Sequence, residues 1–280
     1  MSLDDITAVI CTFNSEASID RCLKEITRSI SSVIVVDGGS SDSTLEIVSR
    51  YQVQLLHDSG TGLGEARNLG LSKVQTEYVL NCGADNIMTL ETLVSLRNRL
   101  KENLGIMGVS CLTKVEEVGL LGIVYNKIQK TRFNSGESLM IGTPNLFRTS
   151  ELKSFGYNPS RGWSDDEDLC YRMRAAAGAK FEILNLYCLE IGQTSFSRFI
   201  YRYFHYGFSD YEIYSSRKRN WKVRRRLKSI AHPLSVEIIK PLARMKISEA
   251  FVCLPLLILA MTLRYCGWLY RWASAAKREI

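Results

Sequence analysis

The chain reads Val-Ile-Val-Val-Asp-Gly-Gly-Ser-Ser-Asp over residues 33–42, and this run sets the fold class. Four consecutive apolar, β-branched residues predict a short strand that is buried on both faces, as the strands of parallel sheets are. The strand ends at Asp37, and the Gly-Gly-Ser-Ser that follows is typical of a turn. A carboxylate at the end of such a strand lies at the edge where open α/β sheets bind their ligands.

The same strand, turn and helix pattern continues on both sides of this run. Strands are predicted over residues 6–12, 33–36, 53–57 and 78–81, and helices over about 19–30, 42–51, 64–74 and 90–103. This alternation predicts an α/β fold with a Rossmann-type, mostly parallel sheet flanked by helices. Residues 142–148 contain helix breakers and are predicted to form a loop that enters a strand or edge element.

Residues 162–174 read Gly-Trp-Ser-Asp-Asp-Glu-Asp-Leu-Cys-Tyr-Arg-Met-Arg and place four acids where a helix is predicted to begin. The helix dipole favours acids at this position, so an acidic first turn is one interpretation. Four neighbouring like charges also repel one another, and such crowding is one way in which a general base is made. This segment alone leaves both interpretations open.

Length and composition limit the number of domains and the kinds of site that the chain can contain. At 280 residues the chain can hold one large α/β domain, or one domain with an appendage. Eight cysteines without paired spacing indicate a reducing compartment, and three dispersed histidines argue against a zinc site. No basic stretch precedes the first apolar run, so no signal peptide is predicted.

The net charge of +7 divides unevenly, because residues 1–195 sum to −5 and residues 196–280 to +12. We therefore predict a boundary near residue 195, between an α/β domain over 1–195 and a basic, aromatic-rich helical region over 196–280. The basic region is expected to meet an anionic partner.

Two segments of this C-terminal region indicate which partner that is. Residues 217–228 hold eight basic side chains around Trp221, and residues 250–263 form an apolar run broken by Pro255 and Thr262. No nucleic-acid reader motif accompanies the basic cluster, so a membrane surface is favoured over nucleic acid, with a solvated helix face as the alternative. A run this short favours an anchor that lies on the membrane or re-enters it.

Taken together, five motifs resemble those of the family 2 glycosyltransferases, enzymes of the GT-A fold, over roughly residues 5–195. In chain order they are Val9-Ile-Cys-Thr-Phe-Asn, Asp37-Gly-Gly-Ser-Ser-Asp-Ser-Thr, Gly62-Leu-Gly-Glu-Ala-Arg-Asn-Leu-Gly, the segment 142–148 followed by Gly156, and Asp165-Asp166. Any one of them is a weak signal, whereas five in the right order are specific.

The resemblance implies roles for individual residues. Asp37 would bind the nucleotide base, Arg67 would lie near the diphosphate, and Asp166 would be the catalytic base, with Asp165 as its partner in the pair. The residues predicted to bind the nucleotide sugar are Thr12, Phe13, Asn14, Glu16, Asp37, Gly39, Gly64, Arg67 and Asp85. Each also has a plainer interpretation: Asp37 as a turn cap, Asp85 as a helix N-cap and Arg67 as a surface residue.

One position departs from the family pattern. The strand that ends Asn81-Cys-Gly-Ala-Asp aligns with the family's Asp-x-Asp motif, but Gly83 stands where its first Asp is expected. Asp85 is then the predicted metal ligand, and Mg²⁺ or Mn²⁺ can be held by one carboxylate together with phosphates and waters.

These expectations combine into an inverting glycosyltransferase. It would move a sugar from a nucleotide-diphosphate donor to an acceptor, predicted to be polyprenyl-linked, at the cytoplasmic face of the cell membrane, in cell-envelope or glycan biosynthesis. The alternative, motivated by Gly83, is a non-catalytic, membrane-bound scaffold on a degenerate glycosyltransferase fold. A nucleotidyltransferase is disfavoured because the first strand is not followed by a Gly-rich loop that bears Lys or Arg.

Overall fold

The computed structural model describes residues 3–58, 60, 62–161, 164–192 and 195–276. Within these residues the strands are β1 (Ile6–Thr12), β2 (Ser32–Asp37), β3 (Gln54–His57), β4 (Tyr78–Gly83), β5 (Asn86–Ile87), β6 (Ile106–Val115), β7 (Gly136–Ser138), β8 (Asn145–Arg148) and β9 (Lys180–Glu190).

The helices that alternate with these strands are α1 (Ile19–Ile26), α2 (Thr44–Val48), α3 (Leu63–Lys73), α4 (Leu90–Glu102), α5 (Gly119–Arg132), α6 (Thr149–Phe155) and α7 (Asp165–Ala177). The helices that follow the last strand are α8 (Phe196–Arg217), α9 (Val223–Ile230), α10 (His232–Leu234), α11 (Lys240–Arg244) and α12 (Ile247–Ala276), with a 3₁₀ turn at Lys218–Asn220 and a π-helix at Ser235–Ile239.

In the described part of the chain the nine strands form one sheet in the order β3-β2-β1-β4-β8-β6-β9-β5, with β7 paired to β9. The four strands predicted from the sequence, β3, β2, β1 and β4, are mutually parallel. Strand β8 then runs antiparallel to both β4 and β6. The predicted α/β fold is confirmed, and the antiparallel half adds strands that alternation alone did not predict.

Period-2 alternation of buried side chains divides the core between the two faces of the sheet. Ile6, Ala8 and Ile10 of β1 pack with α1 and α4 in one cluster. Val9, on the same strand, packs with α3 and α7 in the other. Because both faces are covered, these strands read as continuous apolar runs.

The segment 142–148 was predicted to be a loop entering a strand or edge element. The structure contains the strand, but β8 lies between β4 and β6, in the interior of the sheet. Asn145, Leu146 and Phe147 are buried there. The sequence pattern does not predict an interior position for this strand, because a four-residue strand after a Gly-Thr-Pro turn has the same pattern at the edge of a sheet as in its interior.

The chain divides into two compact units. The first comprises Met1–Lys114 and Asn134–Gly192 and contains almost all of the sheet. The second comprises Val115–Phe133 and Gln193–Ile280. Helix α5 therefore belongs with the C-terminal helices. The division predicted near residue 195 placed residues 115–133 in the first domain, because nothing in their composition separates them from their neighbours.

In the second unit, helices α8 and α12 pack at glycines. A Cβ atom on Gly207 would overlap the backbone of Arg264, and one on Gly267 would overlap the backbone of Phe204. Charges buried in this unit are paired, as burial requires. Arg264 donates to Asp210 at 2.5 and 2.8 Å and to Glu237 at 2.8 Å.

Of the described helices, α12 alone is long and apolar enough to cross a membrane, judged by length and composition. The predicted run ended at residue 263, whereas the helix passes through Pro255 and Arg264 and continues to Ala276. It is longer than expected because the aromatic stretch from residue 265 to 272 extends it. Large apolar side chains on it are exposed, among them Phe251 (83%) and Trp272 (53%).

Candidate active site

The carboxyl ends of the parallel strands bring the predicted donor-binding residues to one edge of the sheet. Thr12 of β1 lies in register with Asp37 of β2, and Asp37 lies in register with His57 of β3. Cys11 pairs with Gly83 at the end of β4. The hydroxyl of Thr12 is buried and has no hydrogen-bond partner among the described residues.

Asp37 is fully buried and organises the turn that follows it. Its Oδ2 accepts hydrogen bonds from the backbone N–H groups of Gly39 and Ser40, each at 3.0 Å, and its Oδ1 accepts one from the Ser40 hydroxyl at 2.5 Å. Gly39 has φ +87°, a conformation that favours glycine. Asp37 therefore caps its turn, and the only described side-chain donor on Oδ1, the Ser40 hydroxyl, can rotate away.

The loop after β1 is fastened to the turn after β2. The Asn14 N–H donates to Ser40 Oγ and the Ser41 N–H donates to Asn14 Oδ1, both at 2.9 Å. Asn14 has φ +47°, which asparagine tolerates better than most residues. Glu16 Oε2 accepts from the Ser43 N–H at 3.0 Å. Asn14 and Glu16 thus hold the two loops together.

Phe13 is the exception in this loop, because 63% of its surface is exposed. It stands between Thr12, at the end of β1, and the fastened segment that begins at Asn14. An exposed aromatic ring at a strand end offers a flat apolar surface on which a nucleotide base can stack. Unlike the side chains of Asn14 and Glu16, the exposed side chain of Phe13 takes no part in the contacts described above between the two loops.

Gly64 was also predicted to contact the donor. The structure places it in the first turn of α3, against the loop that follows α6. A Cβ atom there would lie 2.7 Å from the backbone oxygen of Asn158. Close packing of helix on loop therefore accounts for this glycine in the described structure.

The end of β4 is shaped by Gly83. A Cβ atom at this position would lie 2.7 Å from Asp85 Oδ1 and 3.1 Å from Asn86 Oδ1. The Gly83 N–H donates to Asn86 Oδ1 at 2.8 Å. No group of three or more His, Cys, Asp or Glu side chains that could hold a metal ion exists among the described residues. Among the described residues this strand end therefore offers the carboxylate of Asp85 and no closed protein cage for a metal.

The acidic segment supplies the second half of the site, although Gly162 and Trp163 lie outside the described residues. Asp165 and Asp166 begin α7 and both meet Arg67 of α3. Arg67 Nη1 donates to Asp165 Oδ2 at 2.6 Å and to Asp166 Oδ1 at 2.7 Å. Arg67 Nη2 donates to Thr143 Oγ1 at 2.6 Å, and that hydroxyl lies 3.4 Å from Asp166 Oδ2.

The two carboxylates differ in burial. The side chain of Asp165 is 4% exposed, whereas that of Asp166 is 19% exposed. Burial raises the pKa of Asp165 from 3.8 to about 7; the Arg67 charge opposes this rise and the neighbouring Asp166 adds to it. One carboxyl of the pair is thus shielded from solvent, while the other remains accessible.

The other acids of α7 have separate contacts. Asp168 accepts a hydrogen bond from Arg172 Nε at 2.8 Å and lies 3.5 Å from Arg161 Nε. The acidic run thus divides: Asp168 forms ion pairs with Arg172 and Arg161, whereas Asp165 and Asp166 form a charged cluster with Arg67.

Cys11, one residue before the end of β1, packs against the apolar cluster that includes Leu169 and Cys170 of α7. Burial raises the pKa of the Cys11 thiol to about 12, and the charges of Arg67, Asp165 and Asp58 act on it as well. Helix α3, which bears Arg67, packs on β1 and β2, because a Cβ atom on Gly70 would overlap the side chain of Val9 and lie 3.1 Å from Val36 Cγ2.

Sequence reasoning missed two residues of this cluster, Thr143 and Tyr157. The Arg67 guanidinium lies 5.0 Å from the centre of the Tyr157 ring, which is buried. Thr143 lies in the segment 142–148, one of the five motifs, but no role was predicted for its hydroxyl, and Tyr157 stands in no charged or repeated pattern. Arg67 itself was expected near the diphosphate, whereas its described partners are carboxylates and a hydroxyl.

Several known proteins with similar sequences are glycosyltransferases. Over 104 residues the chain is 32% identical to a cholesterol galactosyltransferase of Borreliella burgdorferi, covering 34% of this chain and 29% of that protein. Over 189 residues it is 25% identical to the poly(ribitol-phosphate) β-N-acetylglucosaminyltransferase TarS of Staphylococcus aureus, covering 62% of this chain and 32% of that protein. The chain thus spans about a third of the length of these relatives.

A solved structure with the same fold is the mannosyltransferase PcManGT of Pyrobaculum calidifontis, in complex with GDP-Man and Mn²⁺. It superposes with a TM-score of 0.63 at 17% identity, covering 98% of this chain and 86% of that one. The architecture is therefore that of the GT-A fold. A family model described as glycosyl transferase family 2 matches residues 7–156, more than half of the chain. The chain belongs to glycosyltransferase family 2.

Proposed function

We propose that this protein transfers a sugar, with inversion, from a nucleotide-diphosphate donor to an acceptor hydroxyl. The observation that carries the proposal is the accessible carboxylate of Asp166, held by Arg67 and Thr143 at the start of α7. Binding of GDP-Man by a protein of the same fold, PcManGT, supports the donor class.

In the proposed reaction Asp166 accepts the proton of the acceptor hydroxyl. The acceptor oxygen bonds to the anomeric carbon while the bond from that carbon to the diphosphate oxygen breaks, on the opposite face of the sugar. The products are the glycosylated acceptor, a nucleoside diphosphate and a protonated Asp166. The base of the donor would stack on Phe13 and bond to Asp37 after the Ser40 hydroxyl rotates away. Thr12, in register with Asp37 at the end of β1, would be a further contact of the donor.

Asp85 would hold a divalent cation, either Mg²⁺ or Mn²⁺, together with the diphosphate. When bound, that ion would offset the negative charge that develops on the leaving group. The chain itself contributes one carboxylate, with the N–H of Gly83 engaged by Asn86 beside it. The Mn²⁺ in the PcManGT complex supports a cation of this kind.

We further propose that the protein acts at the cytoplasmic face of the membrane on a lipid-linked acceptor. The support is the long apolar helix α12 together with α9, whose exposed surface carries Arg224, Arg225 and Lys228. All eight cysteines lie within the described residues and are free thiols, in keeping with a reducing compartment. A cholesterol galactosyltransferase among the relatives supports an acceptor of lipid character.

Gly83 favours one competing function, that of a membrane-bound scaffold without catalysis on the same fold. In such a protein the site would bind nucleotide without turnover. The two proposals therefore differ in a measurable rate and not in fold.

The catalytic role is tested by Asp166→Asn, which keeps the size of the side chain but removes its basicity. We expect the transfer rate to fall by roughly 10²–10⁴-fold while the affinity for nucleoside diphosphate stays unchanged. Glu167→Gln is the matched control, because it makes the same change of charge at the next position of α7. A rate for Asp166→Asn within a few-fold of wild type, at saturating acceptor, would remove Asp166 from the mechanism.

A further inference from the structure

The guanidinium of Arg67 is buried and donates hydrogen bonds to other side chains of the protein. Its side chain is 8% exposed. Nη1 is shared between Asp165 and Asp166, and Nη2 donates to Thr143. Hydrogen bonds between a guanidinium and carboxylates are among the strong ones, and they strengthen as water is excluded.

Electrostatics also argues against a diphosphate as the partner of Arg67. Two carboxylates already face this single cation, so the cluster has no surplus positive charge to offer a phosphate. Turning Arg67 towards a diphosphate would leave Asp165 and Asp166 together in a poorly solvated place without a counter-ion, which is strongly unfavourable. The charged and titratable groups around the guanidinium are Asp165, Asp166, Tyr157 and Cys11.

The surroundings of Arg67 fix its position. The Tyr157 ring lies 5.0 Å from the guanidinium carbon. Asn68, the next residue of α3, grips the backbone of Tyr157 with both ends of its amide: Nδ2 donates to Tyr157 O, and Oδ1 accepts from the Tyr157 N–H, each at 2.8 Å. These two hydrogen bonds hold helix α3 against the loop after α6, and they hold the neighbouring Arg67 in position beside α7.

We propose that Arg67 is a positioning residue for the base Asp166 and not a ligand of the diphosphate. This inference rests on the proposed role of Asp166. Arg67 holds one carboxylate oxygen of Asp166 through Nη1, while Thr143, itself held by Nη2, approaches the other oxygen. Two fixed contacts define the orientation of the carboxylate, and misplacing a catalytic group by about 1 Å can lower a rate on the order of 10²-fold.

Asp165 has a defined part in this arrangement. It is nearly inaccessible, and burial favours its neutral form. When Asp165 carries a proton, the charge of Arg67 is balanced by Asp166 alone. The cluster then has no net charge, and its single negative charge lies on the carboxylate of Asp166, the more exposed of the two.

The test separates binding from turnover in Arg67→Gln and Arg67→Lys. Affinity is measured by calorimetric titration with UDP and with GDP in the presence of Mg²⁺, and turnover is measured with the nucleotide sugar that the wild type uses. We expect the dissociation constant of the nucleotide to change less than about threefold and turnover to fall roughly 10²-fold, with partial recovery in Arg67→Lys. Losing a diphosphate contact from a guanidinium would instead weaken nucleotide binding by about 10-fold or more.

A double-mutant cycle provides a readout that loss of structure alone would not give. If Arg67 acts through Asp166, then Arg67→Gln lowers turnover little further when Asp166→Asn is already present. Should the single variant fail to fold because two carboxylates lose their cation, Arg67→Gln combined with Asp165→Asn leaves only the more exposed carboxylate, that of Asp166, without a counter-ion. Thr143→Val leaves every charge in place and should lower turnover without changing nucleotide affinity.

Weakened UDP or GDP binding in Arg67→Gln, with losses of turnover that multiply in the double variant, would overturn the inference. Failure of the proposed function looks different. In that case the wild type binds nucleotide without turnover, or Asp166→Asn retains full activity, whatever Arg67→Gln does to nucleotide binding.

Discussion

At the scale of single residues, the chemistry of the site depends on how the guanidinium of Arg67 is shared between two carboxylates. Arg67 stands between Asp165 and Asp166, and the difference in exposure between the two carboxylates gives them different roles. Environment, more than residue type, commonly assigns the roles of paired carboxylates in enzymes. Here burial favours the neutral form of the buried member, Asp165, and the accessible member, Asp166, is the one proposed to take up the proton.

This arrangement predicts how stability depends on pH. Burial raises the pKa of Asp165 from 3.8 to about 7 in the folded protein. Between these values the folded protein holds a proton that the unfolded chain has released, so the free energy of unfolding falls as the pH rises from about 4 to about 7. Thermal unfolding of Asp165→Asn should show a smaller loss of Tm between pH 5 and pH 8 than the wild type.

Glu167→Gln serves as the control for this measurement, since it removes one acid from the same helical turn. It should keep the wild-type dependence on pH. A Tm of Asp165→Asn that falls with pH as steeply as that of the wild type would show that Asp165 is not the group responsible.

The sequence predicted the positions of Asp37 and Asp166 but not the partner of Arg67. Strand ends and acidic helix starts are local patterns, and local patterns are visible in one sequence. Arg67 and its two carboxylates are 98 and 99 residues apart, and only the packing of α3 against α7 brings them together. Thr143 and Tyr157 were missed for the same reason.

At the scale of elements, the site is built where α3, α7 and the loops around them pack on the parallel strands. The four parallel strands were predictable because each is a buried apolar run followed by polar residues. Strand β8 was only partly predictable, since a four-residue strand carries too little periodicity to show its place in a sheet. The length of α12 was underestimated because Pro255 and Arg264 read as interruptions of an apolar run.

Close packing of α3 against the loop after α6 predicts the effect of a small change. Gly64→Ala should lower Tm, although alanine is the better helix former by about 1 kcal/mol. The added methyl would lie 2.7 Å from a backbone oxygen, that of Asn158, which cannot rotate away. Overpacking of this kind typically destabilises by about 1–3 kcal/mol.

The matched control is Gly142→Ala, where the nearest atom to the added methyl is 3.9 Å away, an ordinary contact. Its Tm should stay near that of the wild type. If Gly64→Ala is as stable as Gly142→Ala, then the loop after α6 does not pack on α3 as described.

At the scale of the whole molecule, charge is distributed unevenly along the chain. Residues 1–195 carry −5 and hold the proposed catalytic residues, whereas residues 196–280 carry +12 and hold the apolar helix α12. The predicted division near residue 195 remains a prediction about separate domains. In the structure, α5 belongs with the C-terminal helices.

We expect the full-length protein to sediment with anionic liposomes and to be only partly released by high salt. Each basic residue near an anionic leaflet contributes about 1 kcal/mol, so Arg224→Gln, Arg225→Gln and Lys228→Gln together should weaken binding roughly 10²-fold at low salt. Burial of apolar side chains such as Phe251 should account for the part of binding that resists salt.

The control replaces three exposed basic residues of the first unit, Arg50, Lys73 and Lys101, by glutamine, which changes net charge equally. This variant should bind liposomes as the wild type does. A wild-type protein that stays soluble without detergent and ignores anionic liposomes at low salt would remove the support for a lipid-linked acceptor.

The central claim is that this member of the family is an active transferase despite Gly83. The most direct measurement is the rate of nucleoside diphosphate release from a panel of UDP- and GDP-sugars, with Mg²⁺ or Mn²⁺ present and with the metal chelated. We predict release from at least one donor, dependent on the divalent cation and lost in Asp166→Asn. Nucleotide binding without release from any donor of the panel, in the wild type and with membrane lipids supplied as acceptors, would contradict the claim and favour the scaffold.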